Sequence, residues 1–141
     1  MKYLLDTCVI SELIARQRNP AVIGFIDALD ADDVYLSVVT LGEIRRGIEK
    51  LTDSPRKQIL QAWLEDDLLI RFDRRILPLD VDVFFTWATL AARLETQGIR
   101  LPAMDALLAA TALAHKLTLV TRNERDFEAS GVTIINPWRL P

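Results

Sequence analysis

Short apolar runs punctuate this chain, and each is followed or preceded by a stretch of helical periodicity; no other feature restricts the fold so much. Tyr3-Leu4-Leu5 stops at Asp6, where a helical pattern begins. Pro20 opens a second helix with Val22, Phe25, Ile26 and Leu29 on one face. Val34-Tyr35-Leu36-Ser37-Val38 reads as a strand, and Thr40 is placed to cap a helix carrying Leu41, Ile44, Ile48 and Leu51. Ser54-Pro55 starts another, leading through Ile59, Leu60, Trp63, Leu64 and Leu68. Ile76-Leu77-Pro78-Leu79 fits an edge strand, because proline cannot donate to a sheet ladder. A helix from Val81 to Gln97 follows, ended by Gly98, and Pro102 opens one that is apolar nearly all round to Ala114. Thr118-Leu119-Val120-Thr121 and Val132-Thr133-Ile134-Ile135 are the last two strands. Such alternation predicts an α/β fold whose parallel sheet is covered on both faces. Sites in such sheets lie just outside the carboxyl ends of the strands, where Asp6 and Thr121-Arg122-Asn123 fall.

With 141 residues and no repeat, low-complexity tract or linker, a single domain over 1–141 is expected. Hydrophobic residues at 50% exclude a disordered chain, and no uncharged run is long enough for a membrane span. The first segment meets a carboxylate at Asp6, too early for a signal peptide. Cys8 is the only cysteine, so no internal disulfide forms and the expected location is cytoplasmic. A net charge of −3 argues against a nucleic-acid partner only if the acids are spread over the surface. Committing four of them to a metal leaves +1 on the rest of the chain. The pairs Arg45-Arg46, Arg56-Lys57 and Arg74-Arg75 read first as solvated faces.

Four carboxylates stand out. Asp6 ends an apolar strand and precedes another mostly apolar stretch, so it is either a helix N-cap or a bound and paired carboxylate. Glu43 lies early in its helix, where an acid also satisfies the helix dipole. Gly42 and Gly47 beside it are what a helix passing close to another backbone needs. Asp105 is the only charged residue in LPAMDALLAATALA, so it calls for a distant arginine or a cation held jointly with other acids. Asp126, three residues after Asn123, fits a capping box or a fourth acid of such a site. If three or four of these meet, their repulsion requires a dication, and hard oxygen donors suit Mg²⁺ or Mn²⁺ and not Zn²⁺.

Several chemistries are excluded. One histidine, His115, cannot form a two-histidine acid–base pair, and zinc spacing, a P-loop, a GxGxxG fingerprint and a GxSxG elbow are all absent. Cys8 has no histidine partner in view as a nucleophile. Trp63, Trp87 and Trp138 fit core or interface positions better than base-stacking platforms.

At LLDTCVISEL (4–13), VVTLGEIRRGI (38–48), LPAMDALLAATALAHKLTLVTRNERDF (101–127) and INPW (135–138) the chain resembles the PIN-domain ribonucleases. The likeness is to VapC-type toxins of type II toxin–antitoxin pairs, FitB-like branch included. This resemblance implies a three-layer α/β/α fold with a mostly parallel central sheet. It also implies an Mg²⁺- or Mn²⁺-dependent endoribonuclease that hydrolyses RNA with a metal-activated water, pairs as a homodimer and is neutralised by a cognate antitoxin. By motif position Asp6, Glu43, Asp105 and Asp126 match the family's catalytic and metal-binding acids. Thr7 and Thr121 match hydroxyls that orient them, and Asn123 a polar support. One position departs: Cys8 stands where the family often has Asn, which is expected to tune geometry without abolishing activity. Arg45, Arg46, Arg100 and Arg122 are candidates for steering RNA.

Four rivals are weaker. A receiver domain needs an adjacent acid pair after the first strand and a late lysine, but Asp6 stands alone and Thr121-Arg122 offers none. A haloacid-dehalogenase-type phosphatase needs an Asp at Cys8. A flap nuclease needs an arch that is missing, and a PIN-like binding module would not need all four acids.

Overall fold

A computed structural model describes residues 1–140. Strand β1 (Tyr3–Leu5) ends at Asp6, whose carboxylate accepts the first N–H of α1 (Thr7–Ile14). Helix α2 (Pro20–Asp27) carries its proline at the first turn behind an Asn19 cap. A one-turn 3₁₀ segment leads into β2 (Val34–Ser37) and α3 (Val38–Glu49). Ser54 caps α4 (Pro55–Ala62), which runs through a π-helical stretch (Trp63–Leu68) into α5 (Leu69–Arg71). Then come β3 (Ile76–Leu77), α6 (Val81–Thr96), α7 (Ala103–His115), β4 (Thr118–Val120), α8 (Glu124–Phe127) and β5 (Ile134–Ile135). Gly98 follows α6 in the left-handed region at φ +70°, where a side chain would be strained.

The five strands run in the order β3-β2-β1-β4-β5, and every pairing is parallel. Alternate residues feed two cores, as the two-residue period of a strand requires. Leu5, Leu36 and Val120 pack one face against Val9 and Ile10 of α1, Val22 and Ile26 of α2, Ile44 and Ile48 of α3, and Leu68. Leu4 and Leu119 pack the other against Leu90 and Leu94 of α6, Leu108 and Ala112 of α7, and Phe127. Helices on both faces make the three-layer α/β/α architecture. Each fully buried leucine among them contributes about 1.5–3 kcal/mol of hydrophobic stabilisation. Because β2 and β3 lie on one side of β1 and β4 and β5 on the other, the order in which strands are added reverses between β1 and β4. A crevice opens beyond the carboxyl ends of strands at such a reversal.

Some local expectations fail. The strand predicted through Val38 ends at Ser37, whose hydroxyl accepts from the Val39 N–H at 3.0 Å and so caps α3. Thr40 is therefore inside the helix, buried, and its hydroxyl has no hydrogen-bond partner. Glu43 consequently sits in the second turn of α3, beyond the strongest pull of the helix dipole. Gly42 and Gly47 do not mark a close approach: a Cβ at either would meet no atom within 4 Å. No helix among the described residues is long and apolar enough to cross a membrane.

Candidate active site

The crevice between β1 and β4 is organised around Asp6. Its carboxylate is buried, with 6% of the residue exposed, and is held from three sides. The Thr7 N–H donates to Oδ1 at 2.7 Å, the Thr121 hydroxyl donates to Oδ2 at 2.8 Å, and the Cys8 thiol donates to Oδ2 at 3.8 Å. Asp6 is thus both the N-cap of α1 and a site carboxylate, two roles the sequence left as alternatives. Burial is the largest influence on its proton affinity and raises its pKa, the three donors oppose that, and the nearby Asp126 charge adds to it.

Glu43 is joined to this centre through Thr7, whose hydroxyl donates to Glu43 Oε1 at 2.7 Å. One residue therefore grips both carboxylates, its backbone holding Asp6 and its side chain holding Glu43. Thr121 is fully buried at the end of β4 and also accepts the Asn123 N–H at 3.0 Å.

Asp105 lies in the first turn of α7 and is half-buried, not sunk in the apolar helix as its neighbours imply. The first turn overhangs the crevice, so the carboxylate reaches its rim while Ala106, Leu108 and Ala109 face the core. Its pKa is raised to about 6, first by desolvation and then by the charges of Asp6, Glu43 and Asp126. The distant arginine offered as an alternative does not appear: no ion pair among the described residues involves Asp6, Glu43, Asp105 or Asp126.

Asp126 is exposed in α8. The capping box is not formed, since the Asn123 side chain makes no capping bond and only its carbonyl accepts from the Asp126 N–H, at 3.1 Å. Asn123 therefore supports the site through its backbone, not through the amide group expected of it.

Two features of this region escaped sequence reasoning. Cys8 is more than a substitute at a helix start. Its sulfur touches Asp6, lies 3.8 Å from the Thr121 hydroxyl and accepts the Arg122 N–H at 3.5 Å, while burial and the Asp6 charge raise its own pKa. Asn136 reaches back to the Arg122 carbonyl, its Nδ2 donating at 3.4 Å, and Arg122 lies over the Trp138 ring at 5.4 Å. The INPW motif and its Asn-Pro turn signal at 136–137 mark that segment in the sequence, but not its contacts with Arg122.

Among the described residues no three His, Cys, Asp or Glu side chains stand close enough together to grip an ion as they are. The chemistry of the donor set nevertheless fits a hard dication. The charges of Asp6, Glu43 and Asp126 all raise the pKa of Asp105, and no ion pair among the described residues takes up any of the four carboxylates. The unpartnered Thr40 hydroxyl, one turn before Glu43, adds a buried polar group with nothing to bond.

Comparison with known proteins follows the same lines. The family described as PIN domain matches residues 3–131. The chain is 41% identical over 135 residues to Toxin FitB of Neisseria gonorrhoeae, covering 96% of this chain and 97% of that protein. It is 40% identical over 135 residues to VapC ribonuclease Y4jK of Sinorhizobium fredii, covering 96% of each. Among solved structures it superposes on FitAcB from Neisseria gonorrhoeae with a TM-score of 0.93, 40% identity and 98% and 99% coverage of the two chains. VapBC-5 from Mycobacterium tuberculosis, described as a member of the VapBC family of toxin-antitoxin systems, gives a TM-score of 0.69 at 30% identity, with 96% and 98% covered.

Proposed function

The chain belongs to the PIN-domain family, and on that premise we propose that it is the endoribonuclease toxin of a toxin–antitoxin pair, dependent on Mg²⁺ or Mn²⁺ held by Asp6, Glu43, Asp105 and Asp126. The observation that carries this reading is the unpaired acid cluster at the β1–β4 reversal, most visible in the raised pKa of Asp105. A divalent ion bound there supplies the acidity that makes water a nucleophile near neutral pH and offsets the charge of a phosphodiester under attack.

The chain's own residues prepare that site. Thr7 and Thr121 each fix one oxygen of Asp6, so this carboxylate cannot rotate as substrate enters. Thr7 also fixes one oxygen of Glu43 and leaves the other free to face the crevice. Asp105 must lose its proton to take part, and above about pH 6 it has done so. Asp126 is exposed in α8, on the solvent side of the site, where a phosphodiester would arrive. Arg122 and Arg125 border the same opening and supply positive charge outside it.

The partners follow from the same reading. An apolar groove lined by Ile14, Ile44, Ile48, Leu60 and Trp63 runs past Glu43 and suits an antitoxin segment that covers the site. Val81 and Phe85, 64% and 70% exposed at the start of α6, form an apolar face suited to a second copy of the chain. The deciding experiment incubates purified protein with RNA in Mg²⁺ or Mn²⁺, in EDTA, and as Asp105→Asn. Cleavage is expected only for the wild type with metal; cleavage surviving both EDTA and the substitution overturns the mechanism.

A further inference from the structure

Beside the acid cluster lies an open recess of about 500 Å³ whose lining includes Arg122, Arg125, Arg139 and Trp138 together with the carboxylates Glu124 and Asp126. Asp126 and Arg125 also line a neighbouring recess that contains Asp105 and Arg100, so the two depressions join at the acids. The first is rich in arginine where the acid cluster is rich in carboxylate.

Arg122 is the best-held cation in it. Its backbone is fixed at both ends, the N–H donating to Cys8 Sγ at 3.5 Å and the carbonyl accepting from Asn136 Nδ2 at 3.4 Å. Trp138, which packs against the sheet's core, supports the guanidinium from below at 5.4 Å. Asn136 steadies that platform as well, accepting the Trp138 N–H at 2.9 Å. Arg122 has no carboxylate partner among the described residues, whereas Arg139 is paired with Glu124 at 2.8 Å. A guanidinium that is stacked, anchored and unpaired loses little freedom when it binds a planar pair of phosphate oxygens. Its neighbour Arg125 is exposed and likewise unpaired.

We propose that this recess is a subsite for single-stranded RNA, in which Arg122, preset on Trp138, grips a backbone phosphate next to the one cleaved. The subsite rests on the endoribonuclease reading and extends it: the acids act on one phosphate while the recess fixes the register of the strand. The chemistry favours RNA over a protein partner, because three arginines, two of them unpaired, and two asparagines line this recess, while the apolar groove lies elsewhere. Asn123 and Asn136 are the groups available to base edges or ribose hydroxyls.

The test uses the cleavage-silent Asp105→Asn protein and a fluorescently labelled single-stranded RNA of mixed sequence, with anisotropy read over a salt series. In that background Arg122→Ala is expected to weaken binding about ten-fold and flatten the salt dependence by about one phosphate contact. Arg122→Lys should recover the salt slope but only part of the affinity, since a lysine neither stacks nor forks. Trp138→Leu should weaken binding several-fold with the slope unchanged, because the charge stays while its support is lost. Arg71→Gln, at the opposite edge of the sheet, removes the same charge and should change neither. Thermal melts confirm that each variant is folded, and Arg122→Lys carries the test if Arg122→Ala is not. Unchanged affinity and slope in Arg122→Ala overturn the subsite even where the wild type cleaves RNA with metal. Failure of the wild type to cleave, with RNA binding still sensitive to Arg122, instead overturns the nuclease reading and leaves the subsite standing. An effect of Arg122→Ala on antitoxin capture with none on RNA would assign the recess to the protein partner and refute the proposal.

Discussion

Replacing Asp105 by Asn is expected to make the metal-free protein more stable at about pH 7.5, although the same change is expected to silence it. The carboxyl's pKa is raised to about 6 from an ordinary 3.8, so the folded state favours its neutral form by about a hundredfold. For a fully desolvated group that preference corresponds to about 3 kcal/mol. Asp105 is only half-buried, and solvent screening reduces the usable figure to about 1 kcal/mol. In a domain of this size that shifts the melting temperature by about 2–4 °C. The sign follows from proton linkage. An acid with a raised folded-state pKa binds more protons folded than unfolded, so stability falls as pH rises from 3.8 through about 6. The advantage of Asn should therefore be absent near about pH 3.5, grow across that window and level off above it. Differential scanning fluorimetry in EDTA across this range gives the comparison. Adding Mg²⁺ should then reverse the order, because a ligand stabilises the protein that binds it better. An Asn variant that melts no higher than the wild type at every pH in EDTA would refute the claim that like charges crowd Asp105.

Three further outcomes are expected. Thr121→Val removes the 2.8 Å donor from Asp6, so Asp6 holds its proton more tightly; activity should fall about ten-fold or more, with the acidic limb of its pH profile moved upward. Thr7→Val leaves the Asp6 contact to the backbone intact but releases Glu43, so calorimetry should show Mg²⁺ binding weakened about ten-fold with little change in melting. Gly42→Ala, at an exposed position of α3 where an added Cβ meets nothing, should raise stability in urea denaturation by about 0.8–1 kcal/mol with cleavage unchanged.

Much of the architecture is legible in the sequence because period and punctuation agree. Tyr3-Leu4-Leu5 ending at Asp6, Ser54-Pro55 and Gly98 each combine an apolar pattern with a residue that fixes the chain direction, and the elements fall there. The second strand is misjudged by one residue because Val38 and Val39 favour strands, yet Ser37 caps the helix and overrides them. The cap therefore lies three residues before Thr40, and Glu43 falls in the second turn of the helix instead of the first. The acids themselves are readable as charges in apolar surroundings, but how they are held is not. The grip of Thr7 on two carboxylates joins residues 36 positions apart, and that of Thr121 on Asp6 joins residues 115 apart. Only the sheet order brings them together. The depth of Asp105 is similarly hidden, since apolar neighbours tell how much of a helix is buried but not which end faces a crevice.

The position of β1 in the middle of the sheet bears on how such a chain can be made. A ribosome delivers Asp6 first, but the wall it needs is β4, which pairs directly with β1 and brings Thr121 alongside. Until that late strand slots in beside the earliest one, the crevice has one bank and no hydroxyl on Asp6 Oδ2. Long-range parallel pairing of this kind is slow to form. The earliest acid of the crevice therefore waits on one of the latest strands for its second wall.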